Sequence, residues 1–243
     1  MSKKFFITAT VIIVVSISGG FYWFKQGGSD VVDNAVILSQ PIIRWQEITI
    51  TESNPQIAMR INAPRIIVGN SYSLYSEINR AIAQHIESLK ADFISAATTA
   101  AEDNGETNIL NVKTEVLLAT PRLISLAFTS TERLAGIKND DPGRTFLVFD
   151  SVNNEVMIKG NEIFLDDLAW SSAVKIMKTS LLAGYEGEPS CDLLFAPKHN
   201  GIAASCIGVD RGKNSGKLSL TKDIPISAVQ EFIAPSVLSD ITQ

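Results

Sequence analysis

Histidine and cysteine are scarce in this chain, two of each in 243 residues: His85, His199, Cys191 and Cys206. The spacings that build zinc sites or dithiol redox motifs are therefore missing, with no HExxH and no CxxC. GxSxG is missing too, and neither histidine belongs to a recognisable triad. The nearest approach to a phosphate loop, Arg211-Gly212-Lys213-Asn214-Ser215-Gly216-Lys217, lacks the GxxxxGK[ST] spacing and runs into strand-like KLSL. It reads as a solvated hairpin turn. Paired acids have equally plain explanations. Asp166-Asp167 open a predicted helix, where carboxylates complement the dipole. Asp140-Asp141 sit in a Pro-Gly turn. No catalytic, cofactor or metal residue stands out, and the chain is expected not to be an enzyme. A carboxylate-dependent envelope hydrolase stays as the alternative, although nothing selects its pair of acids.

Basic charge is also short. Three of the 21 Lys+Arg and two of the 26 Asp+Glu precede residue 35, leaving 18 against 24 beyond it. A net acidic surface excludes nucleic acid as an expected partner.

What the chain does have is one long apolar run near its start. Phe5 to Phe24, FFITATVIIVVSISGGFYWF, is free of charge, with Lys3 and Lys4 before it and Lys25 after. Such a helix matches a hydrocarbon core roughly 30 Å thick. FYWF has the composition of an interfacial aromatic belt, and the lysine bias places residues 1–4 in the cytoplasm as a stub. The rest is then exported, periplasmic or extracellular. A cleaved signal peptide ending at Ser16-Ile17-Ser18 is the alternative. The anchor is preferred because the apolar run resumes at Phe21. Residues 25–40, rich in Gly, Ser and Asp, read as a linker. Outside the cytoplasm, Cys191 and Cys206 are expected to form a disulfide across two neighbouring strands joined through Pro197-Lys198-His199-Asn200-Gly201. Two free thiols are the alternative.

Hydrophobic period places the elements. IIRWQEITITE and QIAMRIN read as strands, with punctuation at Pro64 and Gly69-Asn70. A helix is predicted from about Ser73 to Ala101, because Leu74, Ile78, Ile82, Ile86, Leu89 and Phe93 form one stripe. Ser71 and Ser73 offer N-caps, and Asn104-Gly105 a stop. His85 lies beside the stripe and reads as structural. The next strand places Val112, Thr114, Val116 and Leu118 on one face. After Pro121, Leu123, Ser125 and Ala127 alternate with Ile124, Leu126 and Phe128. RTFLVFD and EVMIKG continue an antiparallel meander, since the connections are too short for crossovers. A second helix spans about Leu165 to Ala183. Two cysteine strands, a last strand KLSLTKDIPI and a short helix Ser227 to Ile233 before Pro235 complete the chain. The expected fold is α+β: eight or nine mainly antiparallel strands packed with two long helices and a short C-terminal one, beside an N-terminal transmembrane helix. The domain divides into an N-terminal lobe, 41–115, and a C-terminal lobe, 116–243.

The order EINRAIAQHIE, LISLAF, LAGIKNDDPGRTFLVFD, NEIF and DIPISAVQEFIAPSVL resembles a family of paired extracytoplasmic domains of unknown function. Members include the ectodomain of the lysozyme-sensing sigma-V-type anti-sigma factor and the non-catalytic region of peptidoglycan deacetylases. The resemblance covers most of residues 42–238. It implies an α+β envelope domain that binds a lysozyme-like protein or peptidoglycan. Where that family carries Gly-Ala-His, this chain has Gly136-Ile137-Lys138, without the histidine. With four residues before the apolar run, neither a cytoplasmic sigma-binding domain nor a deacetylase domain is expected. The expected function is a non-enzymatic binding module displayed outside the membrane. Lys138, Asn139, Asp140 and Asp141, in the longest polar break between strong strands, are the expected contact region. A structural subunit of an envelope assembly is a further alternative.

Overall fold

The computed structural model describes residues 41–243, except 54–55, 68–71, 101–105, 136–141, 154, 157–159, 187–188 and 211–215. The predicted anchor Phe5 to Phe24, the linker 25–40, the helix cap Ser71, the helix stop Asn104-Gly105 and the loop 211–215 lie outside the described residues. Among the described residues, no helix is long and apolar enough to cross a membrane.

A six-stranded sheet runs in the order β1 (Ile42–Ser53), β2 (Gln56–Ile67), β3 (Asn108–Ala119), β4 (Leu123–Arg133), β5 (Gly143–Asp150) and β6 (Glu155–Val156). Every neighbouring pair is antiparallel except β2 and β3, which run parallel. Parallel neighbours need a crossover. Helix α1 (Tyr72–Ala100) supplies it, and from Ile78 its apolar stripe is buried as its period requires. Ile78, Ile82, Ile86 and Phe93 pack on Ile57, Met59, Ile61, Leu126, Phe128, Leu147 and Phe149. His85 is the structural residue its position suggested: Nε2 lies 2.9 Å from Thr145 Oγ1, and its ring is 4.5 Å from Phe128. Burial lowers its pKa.

The opposite face of β3–β5 carries a second layer. β7 (Pro189–Lys198), β8 (Gly201–Asp210) and β9 (Gly216–Pro225) form an antiparallel sheet in that order. Helix α2 (Asp167–Leu181) packs on β8 and β9. Asp166 caps it through a 2.7 Å bond from the Ala169 amide, so that acid pair serves the helix end. Phe195 of β7 meets Phe164 and Trp170 at 5.7 and 5.3 Å between ring centres. That contact turns Cys191, Leu193 and Phe195 toward α2; strand alternation then turns Ala196, Ala203 and Ser205 toward the large sheet. Residues 202–206 of β8 are all buried, as expected for a strand covered on both faces. Leu38–Gln243 forms one compact unit.

Three expectations change. Pro64 does not end a strand but lies inside β2, opposite Trp45. β3 leaves β2 after the Ile61–Val112 pair, so the amide that proline lacks is not needed on that side. Pro235 does not follow a helix but starts one, α3 (Pro235–Thr242), at a position where its fixed φ suits the first turn. The residues before it form two 3-10 turns, Ile226–Ala228 and Gln230–Phe232. Finally, Leu118 does not share a face with Val116. Val116 pairs with Leu126 and Leu118 with Ser125, so Leu117 is the extra residue of a β-bulge. Leu110, Val112 and Val116 pack toward α1, while Leu117 and Leu118 both pack on the other side.

Candidate functional site

The bulge prepares the most distinctive place in the molecule. Beyond Val112, β3 has no strand on its β2 side among the described residues. Thr114 spans the gap by donating from Oγ1 to the Asn62 carbonyl at 2.7 Å. On β2, Asn79 of α1 closes the exposed backbone of Ile66 by accepting from its amide (2.9 Å) and donating to its carbonyl (2.8 Å). Further along β3, the only described backbone partner on this edge is the two-residue β7–β8 turn. His199 N donates to Leu117 O at 3.1 Å, and Asn200 N to Ile241 O at 2.9 Å. Ile226 N donates to Asn200 O at 3.1 Å. Asn200 holds φ +59°, in the left-handed region that asparagine tolerates. One turn thus ties β3, α3 and the first 3-10 turn together.

A pocket of ≈ 260 Å³ opens where these parts meet, lined by Val116, Leu117, Leu118, Ala119, Thr120, His199, Asp240 and Gln243. Asp240 is its one carboxylate. It is 8% exposed, and its Oδ2 has no hydrogen-bond partner. It shares α3 with the buried Val237 and Ile241, which is why an acid on this stripe is carried inside. Burial raises its pKa. A hydrogen bond with Thr120 and the charge of Arg122 oppose the rise, and Asp150 adds to it.

Behind the pocket lies the β3–β4 turn. Leu123 N donates to Thr120 Oγ1 at 2.9 Å, which fixes the turn. Arg122 Nη2 stands 3.8 Å from Asp150 Oδ2. Asp150, 2% exposed, accepts from the amides of Val152 (2.8 Å) and Asn153 (3.2 Å) and from Asn153 Nδ2 (3.0 Å). That carboxylate is committed to its own turn and is not free to act on a bound molecule. Arg122 Nε and Ser151 Oγ, also buried, lack partners as Asp240 Oδ2 does. The lining therefore offers one acid, one hydroxyl, one imidazole and one amide from its side chains. It does not present the two facing carboxyls that glycoside hydrolysis uses. Among the described residues, no group of three or more His, Cys, Asp or Glu is placed to hold a metal ion.

Of the residues singled out from sequence, Cys191 and Cys206 are joined in a disulfide with Cα atoms 5.5 Å apart. The two are not directly opposite, as a face-to-face hairpin would have them. Cys191 pairs with Gly208, and Cys206 with Leu193, so the bridge runs diagonally. Gly208 makes that approach feasible, because a Cβ there would stand 2.6 Å from Cys191 Cα. Lys138, Asn139, Asp140 and Asp141 lie outside the described residues. Sequence reasoning missed Asp240. The signal was an acid on the apolar stripe of Val237 and Ile241, in a helix displaced from the predicted one.

No family model matches the chain, and no curated protein does. Solved structures do match. One is a member of the DUF3298 family from Bacteroides fragilis NCTC 9343, with TM-score 0.54 and 14% identity, covering 83% of this chain and 97% of that one. Another is a DUF3298 family protein from Pseudomonas aeruginosa PAO1, with TM-score 0.51 and 11% identity, covering 81% and 96%. At such identities the likeness shows the fold: this chain is built like a domain of unknown function from that family.

Proposed function

We propose that the chain is a non-enzymatic binding domain, held at the outer side of a membrane by Phe5 to Phe24, that takes a protein or a cell-wall component. The observation that carries this reading is the pocket beside the β7–β8 turn, where a nine-tenths buried carboxylate has an oxygen without a donor. A buried acceptor left open costs the fold stability, so its presence beside an opening supports a ligand there. Two further features support the setting. The Cys191–Cys206 disulfide suits an oxidising compartment. The resemblance to extracytoplasmic domains supplies lysozyme and peptidoglycan as precedents. The hydrolase alternative gains nothing from Asp150, whose oxygens are already occupied within its turn.

The test is retention. Detergent-solubilised full chain is passed over immobilised lysozyme and, separately, sedimented with isolated peptidoglycan. The expected result is saturable retention on one of them with no release of soluble sugar. Absence of retention on both overturns the reading. The membrane assignment is checked by protease added to intact spheroplasts, which should digest the domain while cytoplasmic proteins survive.

A further inference from the structure

Asp240 is the one acidic side chain in the pocket lining. Asp240 enters no salt bridge among the described residues, and Arg122, the cation that acts on it, makes its close approach to Asp150. Thr120 shares a hydrogen bond with this carboxylate, but its Oδ2 has no partner, and no cation stands in close contact with it among the described residues. The rest of the lining narrows what could bring them. Val116, Leu117, Leu118 and Ala119 are aliphatic, and the lining holds no Phe, Tyr or Trp ring for a sugar to stack on. The volume, ≈ 260 Å³, falls just below the usual range for drug-sized ligands, so it suits one small group and not a whole oligosaccharide. Among the described residues, β3 has no strand partner on its β2 side beyond Val112, where Thr114 bonds to the Asn62 carbonyl and His199 N to the Leu117 carbonyl.

Deepening the binding reading above, on which it rests, the geometry points to a polypeptide partner that presents a lysine side chain to this pocket, its ammonium bonded to Asp240. A lysine has an aliphatic stem to lie along Val116–Ala119 and three donors at its tip. One donor meets Asp240. The Thr120 hydroxyl, the Gln243 amide oxygen and the His199 ring are the other polar side-chain groups within the lining. Gln243 is exposed, at the rim.

The experiment titrates the full chain with Nα-acetyl-lysine N-methylamide, its Nζ-acetylated form and glucosamine, followed by NMR or calorimetry. The lysine amide should bind saturably, and Nζ-acetylation or Asp240→Asn should weaken it at least about tenfold, as loss of a desolvated charge partner does. If Asp240→Asn fails to fold, Gln243→Lys, which sets a rival ammonium at the rim, should weaken the same probe. Failure of the lysine amide to saturate overturns the inference. So does equal binding of the acetylated form, or preferential binding of glucosamine. Retention of the Asp240→Asn chain on lysozyme or peptidoglycan at native strength would overturn this inference alone and leave the binding domain standing.

Discussion

The two faces of the six-stranded sheet are finished differently. Under α1, the buried polar groups are matched. Asn108 Nδ2 donates to the Gln56 carbonyl at 3.1 Å and its Oδ1 accepts from Ala135 N at 2.9 Å, while Asn79 serves both backbone groups of Ile66. The side that faces β7–β9 and α3 is where the unmatched atoms gather: Arg122 Nε, Ser125 Oγ, Arg144 Nε, Ser151 Oγ, Ser205 Oγ and Asp240 Oδ2. Large side chains fill the first core, Phe93, Phe128 and Phe149 among them. Small ones recur in the second, with Ala127, Ala173, Ala196, Ala203 and Ala204. One face matches its buried polar groups; the other buries several without a partner among the described residues.

The contrast is sharpest for large deletions. Phe93→Ala on α1 removes a ring that is 1% exposed and should cost about 3–5 kcal/mol, read as the urea midpoint of the full chain. A loss below about 1 kcal/mol would mean that α1 is not the structural side. The second face depends on covalent support. Replacing Cys191 and Cys206 together by serine opens a cross-link between residues 15 apart and should cost about 3 kcal/mol. Equal midpoints with and without reductant would show that the bridge contributes nothing.

Asp240 separates the faces by pH. Its carboxyl is raised above its ordinary value of 3.8 by burial, so the folded chain holds that proton longer than the unfolded chain does. Below the ordinary value both states are protonated and nothing is lost. As pH climbs from there through the raised value, the unfolded state gives up its proton first and the folded state loses stability. The groups around it are Thr120, Arg122 and Asp150. Asp240→Asn should therefore become progressively more stable than the native chain across that window and then level off. A constant difference, or one that shrinks with pH, contradicts the burial. The smallest effect belongs to Ser205, 0% exposed with an unmatched hydroxyl: Ser205→Ala should be neutral or stabilising by up to about 1 kcal/mol. A clear loss would reveal a hidden partner and weaken the contrast.

Periodicity exposed the first face well. The stripe from Ile78 to Phe93 and the alternation of Leu123, Ser125 and Ala127 against Ile124, Leu126 and Phe128 are local signals, and each residue packs where its period places it. The second face was harder for physical reasons. A bulge at Leu117 leaves no mark in Val116-Leu117-Leu118, because either parity buries a leucine. The parallel β2–β3 pair joins strands on either side of a 29-residue helix, which no local pattern can specify. Pro235 suits a helix start as well as a stop, and only the fold shows that it starts α3, displaced from the predicted helix. That shift hid Asp240, since an acid looks unusual only once its helix face is known.

The proposed ligand contact on the β7–β8 and α3 side, away from α1, can be read by backbone amide NMR of the full chain, recorded with and without saturating Nα-acetyl-lysine N-methylamide. Shifts are expected at 116–120, His199, Asp240 and Gln243, with α1 unmoved. Shifts concentrated on α1 or on the β1–β2 hairpin would contradict it.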